Sequence, residues 1–318
     1  MDYGQLISTA WRMTWRYRGL WLVGLFAGSA SGSGGTFFNS GGPPGGTEGL
    51  GDTMPGMSSS QLREVLAQLP QVLPVVIAVG VIVLVIYLAF WLLSVACQSA
   101  VIAGGREAAA GANVTLGRAW SSGMRSFGRL AALDLLWLVL WLVIVVIIAA
   151  YAISVLASGG GAGLSVLFGL FSLIALLGII ASVLSVVIAF AQRAIVLDGR
   201  GPIDGLSSGF SIARAHLGVS VILWLVGLAL SIGGGIALVI GLIIAAIPGL
   251  IVGGVLALIV NATGGPGAVP FFIMIGLTVL VAALVGGAAL NTLLWHFWTV
   301  SYLRLTRPPE PPPARLSS

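Results

Sequence analysis

The amino-acid sequence predicts an all-α membrane protein, a polytopic bundle of six transmembrane helices. Three observations predict this fold: a composition with too few charged residues for a water-soluble protein, apolar runs long enough to cross a bilayer as helices, and a short sequence pattern that recurs three times. The chain is 58% hydrophobic and only 7% charged, with a mean hydropathy of +1.11. Because roughly a quarter of the residues of a soluble domain are charged, this composition excludes the soluble classes and requires a lipid environment.

The predicted spans come from apolar runs that are long enough to cross a bilayer. A hydrocarbon core about 30 Å thick needs about 20 apolar residues in a helix. The long runs are Val72–Ala103, Leu130–Ala157, Leu164–Leu197, Leu217–Val260 and Ala268–Leu303. A shorter run, Leu20–Ala30, spans only if Ser31–Phe38 continues it. The longest runs predict tilted helices or helix ends that project into the headgroups.

The run Leu217–Val260 is too long for one straight span. Three glycines at 233–235 and Pro248 interrupt it. Proline lacks a backbone donor and clashes with the preceding helical turn, so these residues predict a break. We expect a spanning helix to about Ala246, followed by a broken or re-entrant segment over 248–260.

The arginines determine the predicted orientation. All 14 basic residues are arginines, and all but Arg63 fall before the first span or after the second, fourth and sixth spans. The group between the fourth and fifth spans comprises Arg193, Arg200 and Arg214. By the positive-inside rule this side faces the cytoplasm. We therefore expect a multi-pass protein of the bacterial cytoplasmic (plasma) membrane, with both termini in the cytoplasm and no nucleic-acid partner.

A ten-residue pattern recurs as AWRMTWRYRG at 10–19, AWSSGMRSFG at 119–128 and GFSIARAHLG at 209–218. Each copy begins with a small residue and an aromatic residue and ends on a glycine: Gly19, Gly128 or Gly218. A second echo pairs QSAVIAGGR at 98–106 with QRAIVLDGR at 192–200. Self-similarity at fixed offsets indicates a repeat. We predict one membrane domain, 1–303, built from three units of an interfacial helix plus a helical hairpin, at about 1–105, 106–199 and 200–303.

Each copy of the ten-residue pattern is predicted to lie flat at the cytoplasmic membrane surface. An amphipathic helix with arginine on one side and a bulky aromatic residue on the other favours the headgroup plane. A basic residue near anionic lipid contributes about 1 kcal/mol, and the closing glycine would let the chain turn into the bilayer. The candidate lipid-facing residues are Trp11, Arg12, Arg16, Arg18, Arg118, Trp120, Arg125, Arg129, Phe210 and Arg214.

The first span has an alternative interpretation as a cleaved signal peptide. A basic start, a short apolar run and small residues around Ala30 are typical of such a segment. Cleavage would leave the arginine pattern of the later spans unchanged, so the predicted orientation does not distinguish the two. The repeat favours retention, because the opening stretch is then its first copy, and we expect Leu20–Phe38 to form the first span.

Polar residues inside the apolar runs are candidate intramembrane sites: Gln98, Asp134, Gln192, Asn291 and His296. Asp134 serves either in a proton or substrate relay or as the partner of an arginine at the cytoplasmic edge, and its shallow position favours the pair. The amides are expected to hydrogen-bond between helices. His296 lies in a stretch typical of an aromatic belt at the interface, formed by Trp295, Trp298 and Tyr302.

The sequence predicts no catalytic or metal site. The stretch GLSSG at 205–209 matches the nucleophile elbow of serine hydrolases, but that motif needs a strand-to-helix turn and here falls in a predicted helix. His216 and His296 have no partner at metal-ligand spacing. We therefore expect no enzymatic activity, no metal and no cofactor.

Two segments are predicted to lie outside the packed helices. The loop 31–60 is rich in glycine, serine, proline and threonine, which predicts a disordered extracytoplasmic segment. The tail 304–318 includes RPPEPPPARLSS, and its prolines predict a polyproline-type cytoplasmic extension.

The stretches RAIVLDGRGPIDGLSSGF at 193–210 and AWRMTWRYRGLWLVGLF at 10–26 resemble a loose group of uncharacterised bacterial six-span membrane proteins. That group is similar to the membrane domain that precedes the catalytic domain of some glycerophosphodiester phosphodiesterases. The resemblance implies a six-span membrane fold. It implies no phosphodiesterase activity, because no catalytic domain follows in this chain.

Two functions are consistent with these patterns. We expect a non-enzymatic protein that organises lipid, with anionic lipid as a candidate, or a membrane partner or second copy, through its arginine- and tryptophan-rich interfacial helices. The alternative is a transporter or channel subunit with a site between repeats near the broken fifth span, since interrupted helices mark transporter sites.

Overall fold

The computed structural model of the chain describes residues 2–27, 59–157 and 164–306. Within these ranges the chain is helical apart from short turns and has no strand, which confirms the predicted all-α class. The described helices, numbered in chain order, are α1 Tyr3–Arg16, α2 Leu20–Ala27, α3 Ser59–Ala109, α4 Leu116–Met124, α5 Phe127–Ala157, α6 Leu164–Asp198, α7 Pro202–Ala215, α8 Leu217–Ala262 and α9 Ala268–Thr306.

Five helical stretches in the described residues are long and apolar enough to cross a membrane: Ile77–Ala109, Phe127–Tyr151, Phe171–Asp198, Leu217–Ala262 and Ala268–Thr306. They correspond to the five long apolar runs of the sequence, and they provide what a multi-pass membrane protein requires. Several predicted features lie outside the described residues: the continuation of the first span after Ala27, the signal-cleavage region around Ala30, most of the loop 31–60, and the tail after Thr306.

The predicted break in the fifth span is wrong, because α8 is continuous through 233–235 and Pro248. Proline removes one backbone hydrogen bond, but a membrane helix tolerates this loss where neighbouring groups compensate. Two glycines of α8 serve contact with α9: a side chain at Gly234 would overlap Leu290, and one at Gly249 would overlap Thr278. At 1.5 Å per residue α8 is about 69 Å long, so it must tilt or project beyond a bilayer core of about 30 Å.

Most buried side chains lie at one end of the bundle. They run along 94–105 of α3 and along most of 186–197 of α6 and 288–302 of α9. We call the region formed by these three stretches the packed end. Farther along the long helices, apolar side chains such as Val83, Ile147 and Ile243 are exposed. Apolar surface of this extent is unfavourable in water and suits contact with lipid.

Three short helices, α1, α4 and α7, cover the packed end. α4 packs on α3, α7 packs on α6, and α1 packs on α9. The small residue that precedes the aromatic residue of each ten-residue pattern is buried in all three helices: Ala10, Ala119 and Gly209. The approach is especially close at Gly123, where a Cβ would come 2.5 Å from the nitrogen of Ala100. Only glycine allows backbones to approach this closely.

The turns that precede α5 and α8 do not use the glycines that the sequence suggested. Gly128 and Gly218 lie inside helices, and the chain turns at residues 125–126 and at His216. Only Gly19 lies in its turn. Left-handed backbone occurs instead where α3, α6 and α8 end, at Gly111, Gly199 and Gly264. Helix ends of this kind favour glycine because it has no Cβ penalty at positive φ.

The close packing of α4 on α3 gives a matched pair of substitutions within one helix. Gly123→Ala is expected to destabilise the protein by about 1–3 kcal/mol, because the new methyl group overlaps the backbone of Ala100. Gly117→Ala is the control, since a Cβ there meets nothing within 4 Å and alanine favours helix. Thermal unfolding in detergent micelles measures both. Equal melting temperatures for the two variants would contradict the packing of α4.

Candidate functional site

Three of the predicted intramembrane polar residues meet inside the packed end. Gln192 Nε2 donates to Asp134 Oδ1 at 3.4 Å and to Gln98 Oε1 at 3.5 Å. Gln98 in turn donates to Ser94 Oγ at 3.5 Å. All four side chains are buried. The two glutamines of the matching stretches QSAVIAGGR and QRAIVLDGR therefore contact each other and join α3, α5 and α6, as amides between membrane helices do.

Arg193 is a buried member of this cluster that the sequence interpretation misplaced. Predicted to lie in a cytoplasmic loop, it is 1% exposed and lies within α6, which continues to Asp198. Its Nη1 donates to the Ala189 carbonyl at 2.9 Å and to Gln192 Oε1 at 3.3 Å. Its Cζ lies 4.7 Å from the ring centroid of Trp295. A guanidinium over an indole face gains electrostatic attraction, more so when both are desolvated.

Asp134 pairs with none of the described arginines, contrary to the prediction. One carboxylate oxygen accepts from the Gln192 amide, and the other, Oδ2, has no hydrogen-bond partner among the residues that the structure describes. The Nε of Arg193 also lacks a partner. The cluster thus contains one acidic side chain, Asp134, and one basic side chain, Arg193, and both are hydrogen-bonded to the side chain of Gln192. Buried polar groups in such a network depend strongly on one another, because an unpaired one is costly.

The other two predicted polar residues, Asn291 and His296, face the first two helices. His296 Nδ1 lies 3.2 Å from Thr14 Oγ1 of α1, and Asn291 Nδ2 donates to the Gly24 carbonyl of α2. Both side chains of α9 are buried. They therefore tie the last long helix to the start of the chain instead of joining the Gln192 cluster.

The predicted aromatic belt around His296 is wrong, because its aromatic residues are buried: Trp295, Trp298 and Tyr302. α1 and α6 cover this part of α9. The ring of Trp298 meets the ring of Phe190 edge to face with centroids 5.8 Å apart. The hydroxyl of Tyr302 donates to Asp198 Oδ2. These side chains belong to the core of the packed end.

Two arginines cap the carboxyl end of α6. Arg106 Nη1 donates to the Leu197 carbonyl at 2.8 Å, and Arg129 Nη1 donates to the Gly199 carbonyl. Cations at a helix carboxyl end satisfy free carbonyls and favour the helix dipole. Arg129, a predicted lipid-facing residue, is half-buried and has this capping role.

The other predicted lipid-facing residues are exposed on the three short helices and the turns that follow them. The aromatic residue of each pattern points away from the bundle: Trp11 is 52% exposed, Trp120 37% and Phe210 57%. The exposed arginines are Arg12, Arg16, Arg18, Arg118, Arg125 and Arg214. The packed end thus presents aromatic rings and positive charge together.

A groove with a cavity of about 790 Å³ runs between α1, α8 and α9. Small residues of the two long helices line its walls: Gly233, Gly234, Ala237, Gly241, Ala282, Gly286 and Ala289. Its mouth is formed by Thr14, Trp15, Arg18 and Trp21, with Trp11 beside them. We call this cavity the first groove.

A second cavity of about 540 Å³ lies between α6, α7 and α8 and is lined almost wholly by apolar atoms. Counted from the aromatic residue of each pattern, Thr14, Arg18 and Trp21 of the first groove correspond to residues 213, 217 and 220. Those three residues, Ala213, Leu217 and Ser220, line the second cavity. The two cavities therefore use matching positions, but the first is lined by an arginine and three indoles, whereas the second has no charged side chain and one indole, Trp224.

The stretch GLSSG lies on α7, and its two glycines face α6. A Cβ at Gly205 would come 2.5 Å from Ile195, and one at Gly209 would overlap the Val187 carbonyl. Helix contact therefore accounts for both glycines of the match. A nucleophile elbow instead needs a strand before its serine, and residues 164–198, which precede α7, are helical.

The chain matches a family of unknown function (DUF7544) over residues 11–305 and belongs to that family. No curated protein and no solved structure matches the chain. The resemblance to the membrane domain of glycerophosphodiester phosphodiesterases is therefore not supported by any named relative.

Proposed function

We propose that this member of the DUF7544 family is a non-enzymatic six-span protein of the bacterial cytoplasmic membrane that binds and organises anionic lipid at the inner leaflet. One observation carries the proposal: α1, α4 and α7 each bury the small residue of the ten-residue pattern and expose the aromatic residue beside it. Exposed arginines accompany each of them. An amphipathic helix of this kind binds the headgroup region of a bilayer.

The order and packing of the helices support a threefold repeat. α4 precedes the long helices α5 and α6 and packs on α3, and α7 precedes the long helices α8 and α9 and packs on α6. α1 contacts α9, the final helix, which closes the series into a ring. The matching positions that line the first groove and the second cavity agree with this arrangement.

The distribution of charge supports a cytoplasmic packed end. Apart from Arg63, the described arginines lie on the short helices, in the turns at this end, or near the ends of the long helices that meet there, and the positive-inside rule assigns such an end to the cytoplasm. Each exposed arginine near an anionic leaflet contributes about 1 kcal/mol. The exposed apolar surface of the long helices would then lie in the bilayer.

The alternative of a transporter or channel site near the fifth span has less support. That prediction depended on a broken helix at residues 233–248, and α8 is continuous there. The groove beside Gly233 has apolar walls, whereas a path for ions or polar substrates would need polar lining.

The proposed lipid preference is tested by removing exposed charge. We expect a variant carrying Arg12→Gln, Arg16→Gln, Arg118→Gln, Arg125→Gln and Arg214→Gln to lose its preference for dioleoyl phosphatidylglycerol over dioleoyl phosphatidylcholine. Native mass spectrometry of detergent-solubilised protein with each lipid measures the bound number. Higher salt should weaken the wild-type preference, since exposed charges are screened.

The control for this experiment is Arg304→Gln, an arginine that donates to the Asp2 carbonyl and belongs to none of the three patterns. It should keep the wild-type preference. An unchanged preference in the fivefold variant would overturn the proposed function.

A further inference from the structure

We propose that the first groove holds one phospholipid molecule, with its phosphate at Arg18 and an acyl chain along the small residues of α8 and α9. This inference rests on the proposed function and assigns a discrete binding site to it. The cavity of about 790 Å³ lies within the roughly 300–1,000 Å³ range of small-molecule sites.

The walls of the first groove contain glycines that helix packing does not require. A Cβ at Gly233 or at Gly241 would meet nothing within 4 Å, whereas Gly234 and Gly286 are in contact with Leu290 and Leu238. Glycine inside a helix costs about 0.5–1 kcal/mol relative to alanine. Gly233 and Gly241 thus keep open a channel beside the α8–α9 contact.

The mouth of the first groove is built from a fixed set of rings. Trp21 Nε1 donates to the Thr14 carbonyl at 2.9 Å, and the rings of Trp15 and Trp21 meet edge to face with centroids 5.1 Å apart. The Arg18 guanidinium lies 5.7 Å from the centroid of Trp15. Indoles of this kind favour the level of the glycerol and headgroups.

Arg18 supplies the positive charge that would bind the phosphate of the phospholipid. It is exposed and, in the part of the chain that the structure describes, makes no ion pair. Its planar fork of donors matches the oxygens of a phosphate. A free cation at the mouth of an apolar groove complements a molecule with an anionic head and a hydrocarbon chain, which is the form of a phospholipid.

The second cavity offers a comparison within the same chain. Leu217 stands there where the first groove has Arg18, and Ser220 stands where it has Trp21. The second cavity therefore has no charged side chain in its lining, and its one indole, Trp224, is not at a position that matches Trp15 or Trp21. The phosphate site belongs to the first groove.

The test uses two substitutions, one that affects binding of the lipid phosphate and one that affects binding of the acyl chain. Arg18→Leu introduces the residue of the matching position and should weaken binding of dioleoyl phosphatidylglycerol about tenfold, while binding of dioleoylglycerol, which has no phosphate, stays unchanged. Gly241→Leu fills the groove and should weaken both lipids. Native mass spectrometry and thermal stabilisation by each lipid measure the affinities on the full chain.

The matched control is Gly254→Leu, on the same helix, where a Cβ also meets nothing within 4 Å but which does not line the first groove. It should bind both lipids as the wild type does. Equal binding of phosphatidylglycerol by Gly241→Leu and Gly254→Leu would overturn the groove assignment. A shift from dimer to monomer caused by Gly241→Leu would also overturn it, because the occupant would then be a second copy.

The two sets of variants distinguish an error in the groove assignment from an error in the proposed function. If the fivefold arginine variant loses its lipid preference but Gly241→Leu keeps tight binding, the surface helices bind lipid and the groove does not. Arg18 is left unchanged in the fivefold variant, so that variant should keep the single molecule held in the groove.

Discussion

Replacing Trp295 with alanine is expected to lower the free energy of unfolding by about 3–5 kcal/mol, the cost typical of removing a large buried aromatic side chain. Trp295 is 2% exposed and its ring covers the Arg193 guanidinium at 4.7 Å. The substitution would leave a cavity and remove the ring that the buried cation faces. Unfolding in detergent micelles by titration with sodium dodecyl sulfate, followed by circular dichroism, measures the change.

Trp141→Ala is the matched control for this prediction, because Trp141 is 40% exposed on α5. It should change the free energy of unfolding far less. Trp295→Phe should recover part of the loss, since a smaller aromatic ring still offers a face to Arg193. Equal losses for Trp295→Ala and Trp141→Ala would contradict the buried position of Trp295.

Replacing Gln192 with leucine is expected to cost about 3–5 kcal/mol, because three buried polar partners each lose one hydrogen bond. The Gln192 side chain donates to Asp134 and Gln98 and accepts from Arg193. Leucine keeps the apolar volume but removes the hydrogen bond that the Asp134 carboxylate accepts from Gln192. The same detergent titration measures the loss.

The combination with Asp134→Leu makes the prediction specific. When both partners are apolar, the unpaired carboxylate is gone, and the double variant should be more stable than Gln192→Leu alone. A double-mutant cycle on the two substitutions therefore gives a large coupling energy. Simple addition of the two single losses would show that the two side chains do not interact.

The helices themselves could be predicted from hydrophobicity, because an apolar run in a membrane has to satisfy its own backbone. The predicted positions of the span ends were less accurate. The run Val72–Ala103 corresponds to a span that reaches Ala109, since alanine, glycine and arginine continue the helix past the apolar residues. The six-span count and the threefold repeat stay predictions, because the second half of the first span lies outside the described residues.

The sequence identified Gln98, Asp134 and Gln192 as unusual but could not find Arg193 as their neighbour. The positive-inside rule assigns to a loop any arginine near the end of an apolar run. One signal was present: apolar residues continue after Arg193 to Leu197, so a helix that extended past Arg193 could bury it. The contact between Gln98 and Gln192 joins residues 94 apart, which no local pattern reveals.

The error at Pro248 and the error at Trp295 have a common origin. Local rules assign proline to breaks and tryptophan near a helix end to the interface. In the folded chain, α9 packs along the whole of α8, and α1 and α6 cover the end of α9. Contacts between distant segments therefore override both local preferences.

The contact between α1 and α9 has a consequence for biosynthesis. Thr14 and His296 are 282 residues apart in the chain, so α1 is synthesised long before α9, on which it packs. At roughly 5–20 residues per second, translation of the intervening chain takes on the order of 15–60 seconds. During that interval the contact of Thr14 with His296 is missing, and the exposed Trp11 and Trp15 of α1 are suited to holding the helix at the membrane surface until α9 is made.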